Sequence, residues 1–290
     1  MNNVSLIYHY IRDDTRFAAM STTDFRSQIE HIARKYEIIS VDTLLNNAPA
    51  APSCVLTFDD GIKDCLTNVL PILQEFGVSG TFFIPTMIFS ERRLTQVQKR
   101  HVLLAELGTE RFVDEFNKRA EDVFHITFGD DSYGFDDPLT ANLKITLDTM
   151  DWQRSQEILQ SIFDSIFDEA TVFSQTHMCV DEIREVESAG MEIGAHGHAH
   201  RWFGRLYFQD MVTDLQRSVD TFETFLGRHP RIMSYPFGSY DRFTSRIASQ
   251  LGFIAAMTTV KEKNTKLDKP MELARIDCVD VYPVRNSFGI

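Results

Sequence analysis

The sequence predicts a parallel α/β fold interrupted by a mainly helical insertion. Three observations predict it. Strand-like apolar runs alternate with helical ones over residues 4–84. The alternation stops near Pro85 and resumes near Asp181. Finally, His9, the Asp59–Asp60 pair, GAHGHAH (194–200) and YPFG (235–238) all fall at predicted strand ends, although they are far apart in sequence. In parallel α/β folds, chemistry collects at the C-terminal ends of strands.

Val4–His9 reads as the first strand. Thr22 or Thr23 caps a helix running to about Tyr36, because Phe25, Ile29, Ile32, Ala33 and Tyr36 recur at helical spacing. Ile38 and Ile39 mark a short strand, and Cys54–Phe58 the next. A helix follows to about Phe76, with Gly77 as its stop and Pro71 as an internal fault. Gly80–Ile84 is another strand. Residues 89–173 then carry helical stripes in LTQVQKRHVLLAEL, RFVDEFNKRAEDVF and DWQRSQEILQSIFDSIF, with a Gly/Asp-rich FGDDSYGFDD among them. We expect this stretch to be a cap or subdomain inside a single domain spanning 1–290. Helices at Asp181–Ala189, Gln209–Leu226 and Phe243–Leu251 then alternate with strands at Met191–Ala195, Ile232–Tyr235 and Phe253–Thr258, and Leu273–Ile276 reads as a last strand.

With 290 residues, 43% of them hydrophobic, the chain can bury a large core. A formal charge of −13 argues against a nucleic-acid partner or an anionic membrane surface. No run reaches the roughly 18 apolar residues of a membrane span. MNNVSLIYHYIRDD lacks the pattern of a signal peptide, so a cytoplasmic location is expected. The four cysteines are scattered, as free thiols in a reducing compartment would be, and a cysteine-based zinc site is not expected.

Two adjacent carboxylates ending a buried strand repel each other and need a cation, a shared proton or open water to stabilise them. His196 and His200, at i and i+4, fall on one side of a helical turn, a spacing that suits a shared cation. Asp60 is available as an anionic third ligand. The cation's field would then keep the neighbouring aspartate ionised as a base.

Three stretches carry a family resemblance: LTFDDGIKDCLTNVLPILQEFGVSGTFFIPT (56–86), VDEIREVESAGMEIGAHGHAHRWFGRL (180–206) and MSYPFGSYD (233–241). The sequence resembles the polysaccharide deacetylases, the NodB-homology group of carbohydrate esterases, in their YPFG-bearing branch. The resemblance implies a distorted (β/α) barrel of about seven strands and hydrolysis of an N-acyl group from an amino sugar. It implies Asp59 as general base, and Asp60, His196 and His200 as ligands of zinc or of cobalt, nickel or manganese. It puts Tyr235, Pro236 and Phe237 at the substrate, with a backbone N–H near Phe237 sharing the oxyanion.

Two departures from the family pattern stand out. Ser234 occupies the position where the family often has an arginine, and Arg275 is the candidate to orient Asp59 instead. No histidine follows His229, so the family's late-motif general acid is missing. His101 of the insertion is the expected replacement, with Lys99 beside it to hold a substrate phosphate or carboxylate; His9 and His198 are the other candidates. The expected substrate is a small molecule or oligosaccharide, an intracellular sugar-nucleotide or lipid-linked precursor of a surface polysaccharide, with an N-acetyl or N-formyl group. The alternatives are a catalytically impaired homologue that binds carbohydrate and a hydrolase of non-sugar amides.

Overall fold

The computed structural model describes residues 3–14, 16–46, 51–120 and 136–290. Most of FGDDSYGFDD and the end of RFVDEFNKRAEDVF lie outside the described residues. The chain forms two compact units: Met1–Arg93 with Ser174–Ile290, and Leu94–Phe173.

The first unit is built on parallel strands β1 (Asn3–Tyr8), β2 (Glu37–Ile39), β3 (Ser53–Phe58), β4 (Thr81–Ile84), β5 (Glu192–Ala195), β6 (Ile232–Ser234), β7 (Ala255–Met257) and β8 (Ile276–Asp277). Seven of them run in the order β7-β6-β5-β4-β3-β1-β8, a curled half-barrel; β2 pairs with the first half of β3 and β4 with its second half. All six residues of β1 and of β3 are buried. That is why these strands read as mainly apolar runs, with Asn3, Ser5, Ser53 and Thr57 the buried polar exceptions, rather than as alternating ones. Tyr8, Phe58 and Phe82 stack along the core at 5.0 and 4.7 Å between centroids.

Among the described residues no strand ladder joins β7 to β8. Instead, the segment from Leu273 to Asp277 touches both edges of the sheet. Leu273 bridges Met257 of β7, while Ile276 and Asp277 pair with Leu6 and Ile7 of β1. Arg275 sits between these two contacts.

The connecting helices are α1 (Thr22–Ala33), α2 (Val41–Asn46), α3 (Leu70–Phe76), α4 (Met87–Ser90), then α9 (Val180–Ser188), α10 (Phe208–Leu226) and α11 (Arg242–Gln250). Ser21 caps α1 by accepting the Asp24 N–H at 3.0 Å. The expected fault at Pro71 is a wider helical turn over Cys65–Val69 that runs on into α3 through helical backbone at Val69 and Leu70, with Pro71 in the first turn of α3.

The second unit contains α5 (Gln96–Asn117), α6 (Pro138–Thr149), α7 (Trp152–Asp164) and the start of α8 (Glu169–Thr176). Two of the expected stripes fall on α5, which breaks at Gly108 (φ 69°). Leu103, Phe112, Phe116, Leu143, Leu147, Leu159 and Phe163 are buried in its core. The expected insertion limit of 89 falls within α4; the helical unit itself begins at Leu94.

Candidate active site

Because the strands are parallel, their C-terminal ends share one edge. β3 ends at Phe58, and the chain turns at once: Asp60 has φ 75° and Gly61 φ 67°. A side chain at Gly61 would place its Cβ 2.8 Å from Ile88 Cδ1. The turn leaves Asp59 and Asp60, 1% and 2% exposed, on the site edge. β5 ends at Ala195, and the turn that follows presents His196 and His200. These two are not on a helix, as their spacing suggests. Left-handed backbone at Gly197 (φ 67°) and His200 (φ 54°) folds the segment back and brings the imidazoles together, 4.7 Å between ring centroids.

His200 Nε2 lies 3.2 Å and His196 Nε2 3.6 Å from the same oxygen, Asp60 Oδ1. One ligand atom from each of the three residues falls within 4.8 Å of the others, and all three are buried. His196 Nδ1 is 2.9 Å from Ser234 O. A carbonyl only accepts, so Nδ1 carries the hydrogen and Nε2 presents its lone pair toward Asp60. Burial, the largest influence, lowers the pKa of His196 to about 4, so the ring is neutral at pH 7. Two imidazole nitrogens and one carboxylate form an open three-ligand set suited to zinc or another first-row divalent ion. Burial pushes the Asp60 carboxyl up, but the imidazole of His200, its hydrogen bond, and His9 and His196 outweigh it and hold Asp60 far below the usual range.

Asp59 has a different partner. Arg275 Nη1 donates to Oδ1 at 2.8 Å and Nη2 to Oδ2 at 2.9 Å, a forked pair with the arginine side chain fully buried. Arg275 is itself held by Thr258 O at 2.8 Å and Thr57 Oγ1 at 3.1 Å. Burial raises the Asp59 carboxyl; Arg275, then His196 and His9, more than compensate, and it lies below the usual range. Ser234, which sequence reasoning treated only as a missing arginine, ties the two aspartate systems together. Its Oγ is 2.6 Å from His196 Nδ1 and 3.4 Å from Asp59 Oδ1.

His9 follows β1 directly and is exposed. Its charge is felt by both Asp59 and Asp60, which places it at the mouth of the site. The loop behind it is pinned by the Arg12–Asp64 ion pair (2.7 Å) and by Asn68 donating to Ile11 O (2.7 Å). His177, which the sequence analysis passed over, pairs with Ile62 just beyond this turn and also feels the Asp60 charge.

Pro236 is buried, and Phe237 has φ 58°, strained for a residue with a β-carbon. Phe237 meets His200 edge-on at 4.6 Å and stacks on Trp202 at 4.0 Å. The Tyr235 side chain points elsewhere: it is fully buried, and its hydroxyl donates to Met271 O at 3.1 Å.

His198, the middle histidine, is turned away from the triad; its Nδ1 is 3.0 Å from Thr86 Oγ1. In the helical unit, Lys99 is 1% exposed and pairs with Glu169 at 2.9 Å. Its charge is neutralised there, which removes the reason for assigning it to a substrate anion. His101 is a half-buried residue of α5 in the same unit.

No curated protein matches the sequence. Solved structures do match in fold. The Streptococcus pyogenes deacetylase PplD in complex with acetate has a TM-score of 0.60 at 17% identity, over 96% of this chain and 92% of that one. IcaB from Ammonifex degensii has 0.60 at 16%, over 95% and 91%. The BpsB deacetylase domain from Bordetella bronchiseptica has 0.57 at 16%, over 95% of each. A family model described as polysaccharide deacetylase matches residues 46–163 and 116–256, which include Asp59, Asp60, His196, His200 and Tyr235–Phe237. With that match over most of its length, the chain belongs to the polysaccharide deacetylase family of hydrolases.

Proposed function

We propose that this protein removes an N-acyl group, N-acetyl or N-formyl, from an amino sugar by metal-dependent hydrolysis. The observation that carries the proposal is the division of labour between adjacent carboxylates. Asp60 faces two imidazoles, while Asp59 is locked to Arg275. Asp60, His196 and His200 would hold the ion, zinc first among the candidates. A divalent ion held there supplies Lewis-acid polarisation of the amide carbonyl and lowers the pKa of a bound water.

Asp59, kept ionised and aimed by Arg275, accepts the proton of the attacking water. The backbone N–H of Phe237, whose ring stands 4.6 Å from that of His200, is the donor we assign to the developing oxyanion. His9 protonates the leaving amine. It is an exposed histidine whose charge reaches both aspartates.

The substrate we propose is a sugar nucleotide or lipid-linked sugar destined for a surface polysaccharide. Family membership supports the sugar amide. A panel of N-acetylated and N-formylated sugar nucleotides and oligosaccharides, assayed for acetate or formate release by zinc- or cobalt-loaded protein, tests both levels. Release from the nucleotide sugars supports the precursor reading, and release from oligomers alone replaces it with a polymer substrate. Sugar binding without release would favour the carbohydrate-binding alternative.

A further inference from the structure

The turn that joins the two histidine ligands is strapped on both sides. On one side, Gly197 O accepts the Thr86 N–H and His198 O accepts the Met87 N–H, each at 3.0 Å. On the other lies Asp214 of α10, 5% exposed. Its Oδ1 accepts the His198 N–H at 2.7 Å and its Oδ2 the Ala199 N–H at 3.2 Å. One carboxylate thus takes both amide hydrogens of the two residues just before His200. The fit is close: a Cβ at Gly197 would sit 3.2 Å from Asp214 Oδ1 and 2.9 Å from Phe203 Cζ.

His200 has φ 54°, a backbone state that a β-carbon disfavours and that must be imposed from outside. A charge-assisted bond from each neighbouring amide is a direct way to impose it. Relaxation of the turn would swing His200 away from Asp60, its partner at 3.2 Å.

We propose that Asp214 is the positioning residue of the metal centre: by holding the His198 and Ala199 amides it fixes the left-handed turn that aims His200, together with His196, at Asp60. The inference rests on the metal reading above. Groups that orient metal ligands typically change affinity about 10–100-fold when removed.

The test compares wild type with Asp214→Ala and Asp214→Asn. Zinc affinity is read by chelator competition, the ligand field by the visible absorption of the Co(II) form, and turn mobility by amide hydrogen exchange of the metal-free proteins. The expected result is zinc binding weakened about 10–100-fold in Asp214→Ala, an altered Co(II) spectrum, and faster exchange at residues 198 and 199. Asp214→Asn keeps the volume and one acceptor oxygen and is expected to fall between; it is the deciding variant if Asp214→Ala does not fold. Unchanged zinc affinity and Co(II) spectrum in the folded variants, even with a lowered melting temperature, overturn the positioning role and leave the metal reading intact. A wild type that binds no zinc overturns both.

Discussion

Asp59 and Arg275 are separated by 216 residues and meet in a fully buried fork. Arg275→Met would leave a buried carboxylate without its partner. The expected cost is about 3–5 kcal/mol of stability, read by denaturant unfolding. The folded-state pKa of Asp59 is depressed, so the base is ionised and active above it. Weakening the pair raises that pKa, and in Arg275→Lys the acid limb of the kcat/KM profile should move to higher pH. A limb that stays in place would show that Arg275 does not set the charge state of Asp59. His9→Gln should lower kcat by about 10²–10⁴-fold, with metal binding retained. If His101→Gln does this and His9→Gln does not, the proton donor belongs to the helical unit. Asp59, Asp60, His196 and His200 were legible because residue type and spacing are local properties. Ser234 and Asp214 were not, because their contacts with the histidine turn form only in the folded chain.

At the scale of elements, strands were the most legible feature: parallel strands buried on both faces, as β1 and β3 are, read as mainly apolar runs. The turns that bring Asp60, His196 and His200 together were harder to read. An i, i+4 histidine pair looks helical, and the same adjacency arises here from left-handed residues at Gly197 and His200. Helix α6 was passed over although Asp137 caps it and Pro138 opens it, because that start signal adjoins a Gly/Asp-rich stretch. Gly61→Ala tests the turn that sets the aspartates. Its φ of 67° and the 2.8 Å approach to Ile88 Cδ1 predict a loss of about 1–3 kcal/mol, together with weaker metal binding. Unchanged values in both measurements would mean that the turn relaxes freely.

For the molecule as a whole, buried imidazoles link stability to pH. Burial lowers the pKa of His177, His196 and His198 to about 4 each. In the unfolded chain they titrate near 6.5. Between those values the unfolded state binds more protons, so stability of the metal-free protein should fall as pH drops from about 6.5 toward 4. Urea midpoints at pH 7 and pH 5 check this, and a flat dependence would contradict it. No helix among the described residues is long and apolar enough to cross a membrane.

The most direct test of the central claim is the metal content of dialysed wild type, Asp60→Ala, His196→Ala and Asp59→Asn, each after loading with zinc. The account predicts about one ion per chain in wild type and in Asp59→Asn, loss of the ion in the other two, and no acyl release by Asp59→Asn. A wild type that holds no ion after loading, or an Asp60→Ala protein that holds it as tightly as wild type, would contradict the assignment of Asp60, His196 and His200 as a metal centre.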